Sequence, residues 1–282
     1  MKMQKWIAVG VCAIFLAGCG KSSEVEEKQL ALRSQGMQQA LDGDYEAAIA
    51  SYDEALQLAG MRAGNLELDI AAYKASAQYH AGELQKAIDT CSAVLDLKES
   101  AEMYLTRGML YREAENIQSA NADFKEASKL VSKKDLVMLG RLSYYMEDYA
   151  NAKTYLESAS KAGDSEAVYW EAELYWQMGN NDYAITLYQS YLEGEAPTHQ
   201  SAYARVASWQ IEQGDYEAAL ATLEEGISKG EDGSLKDLLG NEIAVYEQKG
   251  DFETAKLKME SYLEQYPDDE KAQREYRFLR TR

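Results

Sequence analysis

The amino-acid sequence predicts an all-α fold built from stacked helical hairpins. Ala, Leu, Glu and Gln, which are strong helix formers, crowd nearly every stretch, whereas Pro occurs only twice in 282 residues. Runs of β-branched residues, which favour strands, are almost absent. One segment also recurs, since residues 43–49 read GDYEAAI and residues 214–220 read GDYEAAL. Such self-similarity is typical of proteins made of repeated helical units, and its period indicates the kind of unit.

An alanine marks the period of the repeat. A bulky residue follows it four positions later, which places both side chains on one helix face. Small residues upstream, such as Gly36 and Gly108, would let a paired helix come close, and Gly-Asp or Gly-Asn between the helices provides a cap and a turn. The recurring alanines, separated by 39, 33, 32, 32, 35 and 36 residues, are Ala48, Ala87, Ala120, Ala152, Ala184, Ala219 and Ala255.

This pattern resembles the tetratricopeptide repeat, in which each unit is a hairpin of two helices. The resemblance implies a right-handed α-solenoid of about seven hairpins over residues 29–269, followed by a C-terminal capping helix over residues 270–282. A single hairpin would leave an apolar face exposed, so the hairpins must stack. The chain departs from the family consensus at its proline, which survives only as Pro267, and at its tryptophan, which is replaced by residues such as Tyr104.

The first residues carry the pattern of a secretory signal peptide. A short basic segment, residues 1–5, precedes an apolar run from Trp6 to Leu16 and then two small residues. Eleven residues of helix reach only about 16 Å, against roughly 30 Å for the core of a bilayer. A permanent membrane span is therefore the less favoured interpretation of this segment.

Residues 16–19, Leu-Ala-Gly-Cys, resemble the lipobox of bacterial lipoproteins. The resemblance implies that residues 1–18 are a cleaved signal peptide, that Cys19 carries a diacylglyceryl membrane anchor, and that residues 19–28 form the lipidated N-terminus and a short tether. The protein would then sit at the extracytoplasmic face of the cell membrane. Because Gly20 is no acidic retention signal, sorting to the outer membrane is open in a Gram-negative cell. An ordinary cleaved signal with an unrelated Cys is the alternative.

The net charge is strongly negative and excludes one class of partner. Its formal value is −19, and without Lys2 and Lys5 the chain keeps 27 basic against 48 acidic side chains, a net charge of −21. Nucleic-acid binding needs cations that displace phosphate counterions, so no nucleic-acid partner is expected. The same charge repels the body of the protein from anionic lipid headgroups.

Enzyme signatures are absent from the sequence. It contains no phosphate-binding Gly loop, no Gly-x-Gly-x-x-Gly and no Gly-x-Ser-x-Gly. His80 and His199 stand far apart, with no second ligand at metal spacing, so we expect two ordinary surface histidines. Cys91 falls on the apolar stripe of a helix, which predicts a buried thiol. We therefore expect a non-catalytic protein without a metal or a small-molecule cofactor.

A binding groove is the remaining expectation. In tetratricopeptide families, one face of the first helix of each hairpin lines a concave groove. Tyr, Trp and Arg, which dominate binding hot spots, are enriched at those positions in the middle repeats. The alternative is that these aromatic side chains pack between hairpins, as the neighbouring Trp170 and Tyr175 are expected to do. The predicted groove residues are Met109, Arg112, Arg141, Tyr144, Tyr169, Glu173 and Trp176.

These features together favour a membrane-anchored scaffold that binds a protein or an extended peptide in its groove, in cell-envelope assembly or secretion. Two other functions stay open at this point. One is a carbohydrate-binding or hydrolytic envelope protein, which would use the aromatic and acidic side chains of the groove and would need two carboxylates across a deep cleft. The other is a structural array that associates with copies of itself.

Overall fold

The computed structural model describes residues 24–60, 63–194, 197–229 and 234–282, and within them it contains fifteen α-helices and no strand. This confirms the all-α helical-repeat fold. The predicted signal peptide and Cys19 lie outside the described residues. The helices are α1 (Glu24–Leu41), α2 (Tyr45–Ala59), α3 (Asn65–His80), α4 (Leu84–Leu95), α5 (Ala101–Glu113), α6 (Ile117–Leu130), α7 (Leu136–Tyr145), α8 (Tyr149–Lys161), α9 (Ser165–Gln177), α10 (Asn181–Leu192), α11 (Gln200–Glu212), α12 (Tyr216–Lys229), α13 (Leu235–Gln248), α14 (Phe252–Gln265) and α15 (Glu270–Leu279).

The first fourteen helices follow one another as seven hairpins, and α15 comes after the last of them. Each hairpin turn contains a residue with a left-handed backbone. Glycine occupies this place in five turns, for example Gly43 with φ 79° and Gly214 with φ 75°. In the third and fourth hairpins it is taken by Glu115, with φ 57°, and Glu147, with φ 62°. A residue with a side chain in this conformation costs about 1–2 kcal/mol, so these two turns are strained where the other five are not.

The two helices of a hairpin approach closely where the sequence places a small residue opposite a ring. A Cβ atom added at Gly36 would lie 2.5 Å from Cε1 of Tyr52, and one added at Gly108 would lie 2.7 Å from Cδ1 of Phe124. Both rings are fully buried. The ring therefore fills the space that the missing side chain leaves, as the spacing of small and bulky residues predicts.

Replacing Gly108 with Ala should therefore destabilise the protein. Ala favours a helix by about 1 kcal/mol over Gly, but the clash with Phe124 costs typically 1–3 kcal/mol, so the net change should be a lower free energy of unfolding. The matched control is Gly240→Ala on α13, where an added Cβ meets nothing within 4 Å and where stability should rise. Chemical denaturation followed by circular dichroism measures both, and a shift of the two variants in the same direction would contradict this account.

The chain divides into two compact units, Met1–Tyr155 and Leu156–Arg282, and the boundary lies within α8. Among the residues that the structure describes, a buried apolar cluster with Ile70 lies in the first unit, and clusters with Leu223 and with Met259 lie in the second. The predicted groove residues fall in both units, four in the first and three in the second.

Cys91 on α4 is fully buried, as predicted, and burial raises the pKa of its thiol to about 12. A thiol in this state is inert at neutral pH because the thiolate is the reactive form. Among the helices within the described ranges, none combines the length and the apolar composition that a bilayer crossing requires.

Candidate functional site

The residues predicted to line a groove lie on the first helices of the third, fourth and fifth hairpins, α5, α7 and α9. Those on α5 and α7 belong to the first unit, and those on α9 belong to the second. Their exposure decides what each could offer to a partner. They are Met109 and Arg112 on α5, Arg141 and Tyr144 on α7, and Tyr169, Glu173 and Trp176 on α9.

In the first unit, three of the four predicted residues lie in the interior. Met109 and Tyr144 are each 6% exposed, and the Tyr144 ring packs edge-on against Tyr145, with ring centroids 5.3 Å apart. Arg141 is buried as well, and its Nη1 lies 3.5 Å from Oε1 of Glu102. Arg141 thus joins the fourth hairpin to the third, and all three buried side chains present little surface to a partner.

Arg112 is half-buried and contacts the next hairpin. Its Nη1 donates to the carbonyl oxygen of Tyr145 at 2.6 Å, and its Nη2 donates to Oε1 of Glu147 at 3.3 Å. Tyr145 is the last residue of α7, where backbone carbonyls lack partners inside the helix. Arg112 therefore caps α7 and joins the third hairpin to the fourth.

In the second unit, two of the three predicted residues are buried. Tyr169 is 3% exposed, its ring stacks on that of His199 with centroids 3.7 Å apart, and its hydroxyl lies 2.8 Å from Oγ of Ser201. Glu173 is 6% exposed and accepts a hydrogen bond from the Tyr188 hydroxyl at 2.6 Å. Tyr169 thus joins the fifth hairpin to the sixth, and Glu173 joins α9 to α10.

His199 lies in the interior, so the expectation of an ordinary surface histidine was wrong for this residue. It is 2% exposed, and its Nε2 lies 2.9 Å from Oε2 of Glu166. The Tyr191 hydroxyl accepts hydrogen bonds from the backbone N–H groups of Thr198, at 2.6 Å, and His199, at 3.0 Å. These bonds and the stacked Tyr169 ring hold the segment before α11 against the helices. Its sequence, next to Pro197, is that of a surface loop and did not predict this.

Trp176 is half-buried and keeps part of its ring accessible. The guanidinium of Arg205, on α11, lies 4.5 Å from the centroid of the Trp176 ring, which is the geometry of a cation–π contact. Sequence reasoning missed Arg205. The available signal was its residue type, because Arg is enriched in binding hot spots and Arg205 lies on the first helix of the sixth hairpin. Trp170 and Tyr175, which flank this region of α9, are buried in the core as expected.

A strip of small and polar side chains continues from Arg205 across α11 and α13. Nδ2 of Asn241 donates to Oγ of Ser208 at 3.1 Å, which brings the two helices into register. Ala204 and Ala244 are half-buried, and the exposed Gly240 has open space above it. We call this surface the unit-two face; its residues are Trp176, Ala204, Arg205, Ser208, Asn241 and Ala244.

The unit-two face offers van der Waals contacts and hydrogen-bonding groups to a partner. Glu247 follows Ala244 by three residues on α13 and so borders the unit-two face. Burial, and then the neighbouring Glu275, raise the pKa of its carboxyl group. Within the ranges that the structure describes, no group of three or more His, Cys, Asp or Glu side chains is arranged to hold a metal ion.

Comparison with known families identifies the repeat. The family model described as tetratricopeptide repeat matches residues 42–102 and residues 137–200. These segments cover parts of the first, second, fourth and fifth hairpins, and the second includes the α9 side chains described above. The chain therefore carries tetratricopeptide repeats. No curated protein matches the chain in sequence.

Solved structures with the same fold are distant in sequence. A tetratricopeptide repeat protein from Parabacteroides merdae is 17% identical with a TM-score of 0.50, and the match covers 90% of this chain and 99% of that one. A chain of the APC/C hetero-tetramer Cut9–Hcn1 is 13% identical with a TM-score of 0.53, over 89% of this chain and 48% of that one. This chain thus spans about half the length of the second relative. At these identities the two likenesses show the fold alone.

Proposed function

We propose that this tetratricopeptide-repeat chain is a non-catalytic, membrane-anchored scaffold that binds a protein partner on the unit-two face. The observation that carries the proposal is the half-exposed Trp176 with Arg205 against its ring. Trp and Arg are the residue types most enriched in binding hot spots, because they bury a large area beside a polar group. The similar chain in the Cut9–Hcn1 hetero-tetramer is itself part of a protein assembly, which supports a role in protein binding.

The shape of the unit-two face favours an extended segment as the bound element. The side chains of Ala204, Ser208 and Ala244 are short, so the backbone of a partner can approach α11 and α13 closely. Ser208 and Asn241 supply a hydroxyl and an amide for hydrogen bonds to that backbone. Trp176 lies at one side of this strip and offers an apolar anchor for a partner side chain.

The membrane anchor is the second part of the proposal and rests on the sequence. Cys19 ends the lipobox-like segment, and two acyl chains on its thiol would hold the protein on a bilayer where one chain would exchange. With the anchor at the extracytoplasmic face, the scaffold would act in assembly or secretion at the cell envelope. The protein partner would be recruited close to the membrane surface.

Replacing Trp176 with Ala should abolish partner capture without unfolding the protein. Truncation of a hot-spot residue costs about 2 kcal/mol or more, which is roughly 30-fold in affinity. Arg205→Ala should weaken capture in the same direction, because it removes the group that holds the Trp176 ring. The measurement is chemical crosslinking in intact cells with the tagged full chain, followed by quantification of the proteins that copurify.

Tyr183→Ala is the matched control for this experiment. Tyr183 is an aromatic residue of the same unit, is 42% exposed, and lies on α10, the second helix of its hairpin, where its ring packs edge-on against Tyr175 and not on the unit-two face. Capture should survive this change. Tyr144 and Tyr169 are unsuitable for the test because both are buried. Full recovery of the same proteins by Trp176→Ala and Arg205→Ala would remove the unit-two face as the binding surface.

A further inference from the structure

α15 and the residues after it are rich in basic side chains, in contrast to the acidic composition of the whole chain. The protein has 29 basic and 48 acidic side chains, yet α15 and the residues after it, 270–282, carry five basic residues against two acidic ones, Glu270 and Glu275. All five basic residues are exposed, as is Glu270 at the start of the helix, whereas Glu275 is half-buried. Because the protein as a whole is acidic, a cluster of acidic residues would need no explanation, whereas this concentration of positive charge does. The five are Lys271, Arg274, Arg277, Arg280 and Arg282.

An aromatic side chain lies among these cations. Phe278 is 43% exposed, and the guanidinium of Arg282 lies 4.7 Å from the centroid of its ring. The opposite side of α15 carries Ala272 and Leu279, which are buried in an apolar cluster of the second unit. We call the outward surface the α15 face; its residues are Lys271, Arg274, Arg277, Phe278 and Arg282.

The helix dipole does not explain the α15 face. Cations are favourable near the end of a helix, which accounts for Arg277, but they are unfavourable at its start. Lys271 is the second residue of α15 and Arg274 is in its middle. Nη1 of Arg274 lies 3.5 Å from Oε2 of Glu270, but both side chains are more than half exposed, so this ion pair contributes little to stability. The cations of the first turns therefore need another explanation.

The outward side of α1 has the complementary properties. Glu24, Glu27, Leu30 and Leu41 are exposed, with Leu30 at 43% and Leu41 at 45%. Their spacing of three, three and eleven residues keeps them on one side of the helix. Lys28 Nζ lies 2.8 Å from Oε1 of Glu24, but both side chains are more than half exposed, so this pair is weak and can exchange for a contact with another copy. Gly36, which is turned the other way, is buried against Tyr52. We call this surface the α1 face; it is acidic at its start and carries two exposed leucines.

We propose that the α15 face of one copy of this protein docks on the α1 face of a second copy. The charges are of opposite sign, and each face brings exposed apolar side chains, Phe278 on one and Leu30 and Leu41 on the other. Arg suits this contact because its planar guanidinium can bind a carboxylate through two parallel hydrogen bonds. The two faces differ, so the contact is heterologous, and the pair keeps one unoccupied α1 face on one copy and one unoccupied α15 face on the other for further copies. Because the contact depends on opposite charges, association should weaken as the salt concentration rises.

Cysteine crosslinking between two differently tagged full-length copies tests the contact. One copy carries Leu30→Cys and the other carries Phe278→Cys, and a mild thiol oxidant is added to intact cells that express both. A disulfide-linked species with both tags is the expected result. Cys91 is fully buried and should not react, and copies without an introduced Cys control for Cys12 and Cys19. Absence of the mixed species, or crosslinking mainly between two Phe278→Cys copies, would overturn the proposal.

Charge reversal then separates docking from chance collision. Arg274→Glu with Arg277→Glu should lower the yield of the mixed species about tenfold, because like charges would face each other. Glu24→Arg with Glu27→Arg on the other copy should restore it. Lys86→Glu with Lys129→Glu is the matched control, since these lysines are 66% and 65% exposed and the change in net charge is the same. If the charge reversal leaves the yield of the mixed species unchanged, or if Glu24→Arg with Glu27→Arg does not restore it, the proposed contact is wrong. The α15 face would then serve another partner, such as an anionic lipid surface.

Discussion

Replacing Arg107 with Met should destabilise the protein by about 3–5 kcal/mol, which is the usual cost of removing one partner of a buried ion pair. Nε and Nη2 of Arg107, on α5, each donate to one oxygen of Asp123, on α6, at 2.8 Å. Nη1 donates to Oγ of Ser92 on α4 at 3.0 Å. The Asp123 side chain is 7% exposed, so without Arg107 its carboxylate would stay buried and uncompensated. Chemical denaturation of the full chain measures the loss.

The double variant Arg107→Met/Asp123→Leu distinguishes the unpaired charge from lost packing. Replacing both members of a buried ion pair by apolar residues is often neutral or stabilising, because no desolvated charge remains. The double variant should therefore recover most of the stability that the single variant loses. If the double variant is less stable than the single one, the charge of Asp123 is not the cause of the effect.

Replacing Cys19 with Ala should remove the lipid from the protein completely. The thiol is the attachment point in the proposed anchor, so without it the diacylglyceryl group has no place of attachment in the lipobox-like segment. Because each buried methylene contributes about 0.8 kcal/mol, loss of two acyl chains changes membrane affinity by many orders of magnitude. Intact mass and incorporation of a labelled fatty acid are the measurements.

Cys91→Ala is the matched control for the anchor. It removes a thiol that is fully buried, so the fatty-acid label should be retained. A label that survives Cys19→Ala, or a wild-type protein whose mass shows neither acyl groups nor cleavage before Cys19, would contradict the lipoprotein assignment. An ordinary cleaved signal peptide would then be the better explanation of the first residues.

The helical hairpins could be predicted from sequence because their determinants are local. Ala48, Ala120 and Ala255, three of the recurring alanines, each have no exposed surface and lie near the start of the second helix of their hairpins. The requirement for a small side chain at a close helix contact acts within one hairpin, as with Gly108 and Phe124. The same residue types therefore recur once in every repeat, where they can be recognised in the sequence.

The exposure of the predicted groove residues could not be derived in the same way. Tyr169 is buried because the His199 ring covers it, and that ring belongs to a segment that follows the next helix. Position on the helix predicts which side a residue occupies, but exposure depends on the side chains that the neighbouring hairpin contributes. Trp176 stays half-exposed although the guanidinium of Arg205, from the first helix of the next hairpin, lies 4.5 Å from its ring centroid.

The hydrogen bonds that join neighbouring hairpins connect residues that are close in the sequence. Arg112 and Tyr145 are 33 residues apart, Tyr169 and Ser201 are 32 apart, and Ser208 and Asn241 are 33 apart. Contacts of such short range give a low contact order, which is associated with fast folding, and a repeat chain can begin to fold at any pair of units. Two adjacent hairpins are enough to form the first of these bonds. The chain can thus acquire its structure progressively, one hairpin after another, while its later residues are still being synthesised.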